Sequence, residues 1–323
     1  MSKRYKIYLE GLPEPLRRGE CSNSGTARGP ARTLAAAANP KKTDTATNSS
    51  LMGPPAQIKA VIFDMVSHPS IDGLLLDSEV SYHYQRLYTQ VTNEILAPYN
   101  KQLTWEIKAM LMGRPSEESA RILIERTGIP LSSDELLALF ASRQRTLFPS
   151  VQTMPGALKL VQHLRKSNIP IAIATGSNSV NYKLKSESQP ELFSAFEGKV
   201  ICGDDAELKR GKPHPDPFLL AATRHLGMKI ERDPVTGFLE PPLADQLEPD
   251  ALRPDQILVF EDGMAGVQAA TAAGMKVVWV PDPELKVLLT QQHHHQPAVT
   301  ADQLLNSLLE WNGADWNLPP FES

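Results

Sequence analysis

Four short apolar runs in this chain end directly in acids, hydroxyls or glycines, and these are the first places to look for chemistry. Ala60-Val61-Ile62-Phe63 runs into Asp64, and Pro170–Ala174 into Thr175-Gly176-Ser177. Lys199–Cys202 runs into Gly203-Asp204-Asp205, and Ile257–Phe260 into Glu261-Asp262-Gly263. Gly211-Lys212-Pro213 follows the third run. Short apolar runs bounded by turn residues read as buried strands. In an open parallel α/β sheet, ligands bind at the carboxyl ends of the strands. Acids and small residues also populate ordinary strand-to-helix turns, so no single turn decides the matter. The weight lies in their convergence, in this order, on one sheet edge.

The elements that must position these groups alternate. Between the first and second strands, the pattern from Ser78 to about Phe148 is helical throughout. Its candidates are Ser81–Leu96, Trp105–Leu111, Ser116–Thr127 and Ser133–Leu147. Glu117 and Glu118 suit the positive N-terminus of the third. Beyond Met154-Pro155-Gly156 the spacing predicts helices over Ala157–Ser167, Pro217–Leu226 and Gly266–Ala273, and a last strand over Val277–Val280. Strands alternating with helices imply an α/β fold: a parallel sheet with helices on both faces. The helical block implies a second domain beside the sheet's carboxyl edge. Residues 231–256, rich in proline and acids, read as a surface loop, and His293-His294-His295 as a solvated turn.

Composition excludes several classes. A net charge of −4 over 323 residues argues against a dedicated nucleic-acid binder. Two distant cysteines, Cys21 and Cys202, make neither a disulfide framework nor a zinc cluster, which points to a reducing compartment, the cytoplasm. No apolar run is long enough to span a membrane. Residues 1–55 hold nine Lys/Arg and four Asp/Glu among small residues and prolines. Such a stretch cannot bury enough apolar surface to offset its ordering entropy and reads as a disordered tail. Its arginines admit mitochondrial targeting as an alternative, against which Glu10, Glu14 and Glu20 count.

The motifs taken together resemble those of the haloacid dehalogenase superfamily. Val61-Ile62-Phe63-Asp64-Met65 with Asp72-Gly73-Leu74-Leu75-Leu76-Asp77-Ser78-Glu79 resembles the first motif of its phosphatases, and Ala174-Thr175-Gly176-Ser177 the second. Lys212 in Gly211-Lys212-Pro213-His214-Pro215-Asp216 resembles the third. Phe260-Glu261-Asp262-Gly263 with Ala265-Gly266-Val267 resembles the fourth. Met112-Gly113-Arg114 and Leu318-Pro319-Pro320-Phe321-Glu322 are similar to the eukaryotic subgroup that contains pseudouridine-5′-phosphatase and DL-glycerol-3-phosphatase. The resemblance implies a Rossmann-like core over residues 56–77 and 150–323, with a helical cap inserted at 78–149.

The same resemblance implies the roles. Asp64 would be the nucleophile, forming an aspartyl-phosphate, and Asp72 the acid/base. Lys212 would neutralise the phosphoryl oxygens. Thr175 and the Gly176, Ser177 and Asn178 turn would bind them. Asp64, Asp72, Glu261 and Asp262 would form the Mg²⁺ site. Arg114 and Glu79 would face the substrate from the cap. Lys183 and Lys185 could attract phosphate, although solvated lysines are the plainer expectation. The implied partner is a small phosphorylated metabolite (a sugar phosphate, glycerol phosphate or pseudouridine 5′-phosphate), with no nucleic-acid polymer and no membrane.

One departure from the pattern matters most. The family separates its two first-motif aspartates by one residue, whereas here Met65 is followed by Val66-Ser67-His68-Pro69-Ser70-Ile71 before Asp72. Removing Val66–Ile71 restores the pattern. The surplus reads as a gene-model or splice artefact, as a real loop that leaves Asp72 near its place, or as a lesion that leaves a phosphate-binding protein impaired in catalysis. A phosphomutase of the same fold is a further alternative.

Overall fold

The computed structural model describes residues 5–7, 57–65, 89, 91–111, 116–147, 153–243, 247–283, 286–287 and 299–321. In chain order the strands are β1 Tyr5–Ile7, β2 Ala60–Phe63, β3 Ile171–Ala174, β4 Val200–Ile201, β5 Ile257–Glu261, β6 Lys276–Trp279, β7 Val299–Ala301 and β8 Gln303–Leu304. The helices are α1 Trp105–Leu111, α2 Ser116–Thr127, α3 Ser133–Leu147, α4 Ala157–Lys166, α5 Ser179–Ser186, α6 Pro190–Phe193, α7 Asp216–His225 and α8 Met264–Ala272. Six strands pair in the order β4-β3-β2-β5-β6-β8, every pair parallel.

Parallel sheets are covered on both faces, so their strands are apolar at successive positions. Side chains still alternate between the faces. Ala60, Ile62, Ala172, Ala174, Ile257, Val259 and Val277 point into one core, which α7 and α8 close with Phe218, Leu219, Ala222, Val267 and Ala270. Val61, Phe63, Ile171, Ile173, Leu258, Phe260 and Val278 point into the other. There α4 supplies Leu160, Val161 and Leu164, and the end of the chain adds Leu308, Trp311 and Leu318. Phe63 and Phe260 stack at 5.1 Å between ring centroids, an arrangement worth roughly 1 kcal/mol beyond the area it buries. His163 on α4 is hydrogen-bonded through Nε2 to the Pro319 carbonyl (2.8 Å).

The helical block has a core of its own, in which Val91, Leu96, Leu111, Leu123, Leu136 and Phe140 meet. Ser132 and Glu135 close the start of α3 reciprocally. The Ser132 N–H donates to Glu135 Oε2 (2.8 Å), and the Glu135 N–H donates to Ser132 Oγ (3.2 Å). This capping box satisfies two of the four orphan donors at a helix start.

Some elements differ from the sequence reading. Tyr5–Ile7, inside the segment read as a tail, pairs antiparallel with Val299–Ala301. Alternating Tyr5 and Ile7 are good strand formers, and pairing supplies the contacts their composition lacks. The helix α5 carries little apolar pattern and is unexpected, although Asn178 before it is a strong N-cap residue. Residues 231–243 and 247–256 are largely irregular and exposed or half-buried, as the surface-loop reading expects, and the first of these stretches is anchored to the body. Arg232 bridges to Leu239, which is buried among the residues of the first core. A tight turn, closed by Gly237 N–H to Asp233 C=O (2.8 Å), joins them. No helix among the described residues is long and apolar enough to cross a membrane. Asp72, Glu79, Arg114, the Val66–Ile71 segment and the His293–His295 tract lie outside the described residues.

Candidate active site

The sheet register brings the chemistry to one edge. Phe63 lies opposite Ile173 on one side and Phe260 on the other. The chain therefore leaves β2, β3 and β5 side by side, delivering Asp64, Thr175 and Glu261 to neighbouring places. Asp64 is fully buried, and its N–H donates to the Phe260 carbonyl (3.0 Å), which continues the ladder by one residue.

Lys212 ties the first and fourth motifs together. Its Nζ donates to Asp64 Oδ1 (2.6 Å) and to Glu261 Oε1 (2.5 Å), and all three residues are buried. Burial alone would strip the ammonium of its proton. The Asp64 and Glu261 charges more than offset that and hold its pKa above the ordinary lysine range. Glu261 shows the opposite side of the same balance. Burial pushes its carboxyl up to about 7, with the Asp64 charge adding to the shift and Lys212 opposing it.

Glu261 is held from below as well. Its Oε2 accepts from the N–H groups of Asp262 (3.0 Å) and Gly263 (3.0 Å) as the chain turns into α8. The room for it comes from Gly266, where an added Cβ would lie 1.7 Å from Glu261 Oε1. Trp279 Nε1 donates to the Asp262 carbonyl (2.8 Å) and fixes the next residue of the turn. Asp64, Glu261 and Asp262 each offer a carboxylate oxygen, and these atoms lie within 4.8 Å of one another. Three buried carboxyl groups thus gather around one buried ammonium. Hard oxygen donors of this kind suit a small divalent cation such as Mg²⁺.

The second motif forms a turn of hydroxyls. The Ser177 N–H donates to Thr175 Oγ1 (3.1 Å), and the Ser177 carbonyl accepts from the Gly203 N–H (2.8 Å). Gly203 packs so closely on this turn that a Cβ there would lie 2.5 Å from the Gly176 carbonyl oxygen. Asn178 caps α5, its Oδ1 accepting from the Asn181 N–H (2.8 Å). A pocket of about 120 Å³ is lined by Thr175, Gly176, Gly203, Lys209, Gly211 and Lys212, among others. At roughly 30 Å³ per water, it has room for a phosphate-sized group.

Of the residues singled out in the sequence, Asp64, Lys212, Glu261 and Asp262 meet in one cluster, and Thr175, Gly176 and Lys212 share the pocket wall. The acids at the third strand end do other work. Asp204 accepts from the Ser179 N–H (2.8 Å) and hydroxyl (2.7 Å), and Asp205 pairs with Arg224 (2.8 Å). Lys183 is solvated as expected, but Lys185 is 1% exposed. The backbone N–H of Ser177 donates to Thr175 Oγ1 within its own turn. Gly266 and Gly203 went unrecognised as site residues. The only available signal was that each stands where two motifs pack together.

Comparison with known proteins agrees with this construction. Residues 58–274 match the family described as haloacid dehalogenase-like hydrolase. The chain is 43% identical over 267 residues to (DL)-glycerol-3-phosphatase 2 of Arabidopsis thaliana, covering 82% of this chain and 93% of that protein. It is 38% identical over 260 residues to a Drosophila melanogaster protein named "Probable pseudouridine-5′-phosphatase", covering 80% and 94%. The fold is shared with a haloacid dehalogenase family hydrolase from Deinococcus radiodurans R1, solved with bound phosphate and sodium. The TM-score is 0.52 at 23% identity, over 82% of this chain and 99% of that one. The ordered motifs, the parallel sheet and the matched span agree, and this chain belongs to the haloacid dehalogenase-like hydrolases.

Proposed function

We propose that this protein is a Mg²⁺-dependent phosphomonoesterase acting on a small phosphorylated metabolite. The observation that carries the reading is Lys212 bridging Asp64 and Glu261 beside a phosphate-sized pocket walled by Thr175 and Gly176. The candidate substrates are glycerol phosphate, a sugar phosphate and pseudouridine 5′-phosphate, in keeping with the names of the relatives.

In this reading an Asp64 oxygen attacks phosphorus, the new O–P bond forms and the ester P–O bond breaks. Asp72 gives the leaving alkoxide its proton, then takes one from the water that cleaves the aspartyl-phosphate. Lys212 offsets negative charge on Asp64 and on the equatorial oxygens, while the Thr175 hydroxyl and the Gly176–Asn178 turn position them. Asp64 and Asp262 would hold Mg²⁺, joined by Asp72. Glu261, already accepting three hydrogen bonds, would anchor the cluster. Bound there, Mg²⁺ supplies positive charge against the carboxylates and the incoming dianion. The helical block, as a cap carrying Arg114 and with Glu79 at its start, would exclude water and select the leaving group. A reducing, cytoplasmic setting fits the two scattered cysteines.

The test is a paired assay with and without Mg²⁺ on a panel of phosphate esters. One sample is the chain as written, and the other lacks Val66–Ile71. Mg²⁺-dependent release of inorganic phosphate by either supports the reading. Release by the shortened chain alone shows that the extra segment disables Asp72. Transfer of the phosphoryl to a second hydroxyl replaces hydrolase with mutase, and no turnover by either sample overturns the reading.

A further inference from the structure

The helix α5 buries a lysine. Lys183 and Lys185 stand two residues apart on it, and their side chains go to opposite environments. Lys183 has a side chain 74% exposed and pairs loosely with Glu187 (3.7 Å). Lys185 lies in the interior, and its Nζ donates to Ser177 Oγ at 3.0 Å. Burial pulls its pKa down to about 7, against the opposing charge of Asp64. Taking an ammonium out of water costs several kcal/mol, and an apolar side chain of similar size would pack there without that cost. A buried lysine therefore calls for an electrostatic reason.

Its position supplies one. Ser177 is held from several sides: its N–H by Thr175 Oγ1, its carbonyl by the Gly203 N–H and its hydroxyl by Lys185. The first two contacts are neutral and short-range. In the protonated form, which the Asp64 charge favours, the third is charge-assisted, roughly twice as strong as a neutral hydrogen bond. It is also the contact that reaches the turn from α5. Across the sheet edge, Lys212 and a divalent cation would together offset the charge of the three carboxylates. A phosphoryl dianion then needs further positive charge, and Lys185 supplies it from beneath the turn.

We propose that Lys185 is a positioning residue for the phosphoryl group, acting through Ser177 to hold and polarise the Thr175–Ser177 turn. The proposal rests on the phosphoryl-transfer reading of this site.

The experiment uses the full chain, with an aryl phosphate ester as substrate and inorganic phosphate as inhibitor. Wild type is compared with Lys185→Met, Ser177→Ala and the double variant. Lys185→Met is expected to keep or raise Tm, because it removes a buried charge. It should weaken inhibition by phosphate and lower kcat/KM by about 10- to 100-fold, the worth of a charged hydrogen bond. The double variant should be no worse than the poorer single variant, because the two residues act as one unit. Phosphate inhibition within twofold of wild type in Lys185→Met, or losses that multiply in the double variant, would overturn the proposal. If Lys185→Met does not fold, Lys185→Gln keeps a donor without the charge and is judged by the same criteria. A wild-type protein that neither hydrolyses the ester nor gains stability from phosphate removes the phosphoryl reading and this proposal with it. A wild type that does both, beside an unaltered Lys185→Met, removes this proposal alone.

Discussion

Two strand-to-helix turns on one sheet edge, Glu261–Gly263 and Thr175–Asn178, share a plan and differ in sign. Each follows a buried strand and opens a helix. A glycine from a neighbouring segment makes room at each: Gly266 beneath the Glu261 carboxylate, and Gly203 against the Gly176 carbonyl. A buried lysine also meets each of them, Lys212 from a distant segment at the first and Lys185 from the helix that the turn opens at the second. The first turn presents carboxylates and the second hydroxyls. The lesson is that backbone geometry settles where a ligand can sit, and side-chain charge settles which ligand it is. The acid turn suits a cation and the hydroxyl turn suits an anion. A phosphate ester with a divalent metal needs both at once.

The largest expected effect removes the group between the two turns. Asp64→Asn should lower turnover by at least ~10³-fold, because the amide cannot replace a carboxylate nucleophile. Its circular dichroism spectrum should match wild type, and substantial residual activity would take Asp64 out of that role.

A smaller effect should separate the turns. Gly266→Ala forces a Cβ onto Glu261 Oε1, so the carboxylate must shift. We expect a loss of about 10- to 100-fold in apparent Mg²⁺ affinity, the usual cost of disturbing groups that support a metal site. Gly203→Ala pushes on the Gly176 carbonyl instead and should raise KM and the inhibition constant of phosphate, with Mg²⁺ affinity nearly unchanged. Identical profiles for the two variants would break the comparison.

The smallest effect is on stability against pH in the Mg²⁺-free protein. Glu261 keeps its proton in the folded state up to about 7, whereas its ordinary value is 4.5. Between these values the folded state binds more protons than the unfolded one, so stability falls as pH rises. The contribution is whole below 4.5 and is lost as pH rises through 7. Thermal melts from pH 4.5 to 8 should show the wild type losing Tm relative to Glu261→Gln across that interval. A constant difference would show that Glu261 is ionised throughout.

Much of this architecture is legible in the residues, and the exceptions have physical causes. Buried parallel strands such as Ala60–Phe63 and Ile171–Ala174 are continuous apolar runs, visible without a structure. The helices Ser116–Thr127 and Ser133–Leu147 fall within the bounds read from the sequence, the first with the acidic first turn that marked its start. Lys212 and Asp64 are 148 positions apart, and only the motif resemblance anticipated their meeting. Lys185 was misread because an isolated lysine on a polar helix is nearly always solvated. What buries it is the close approach of α5 to the Ser177 turn, which no local pattern encodes. The Glu261–Gly266 contact is hidden for a related reason. The two residues stand five positions apart across a strand end and a helix start, the turn brings them together, and neither periodicity describes that step.

The position of β2 in the sheet bears on how this protein can be controlled. It lies between β3 and β5, with all four of its residues buried, and Asp64 is bonded to the neighbouring strand. Amides on such a strand exchange with solvent only when the whole domain opens. Asp64 should therefore share the slowest hydrogen-exchange class in the molecule, while the turns around it exchange sooner. Local fluctuation cannot withdraw Asp64. Any effector, modification or temperature change that modulates the enzyme short of unfolding it has to work on the surrounding turns and the helical block.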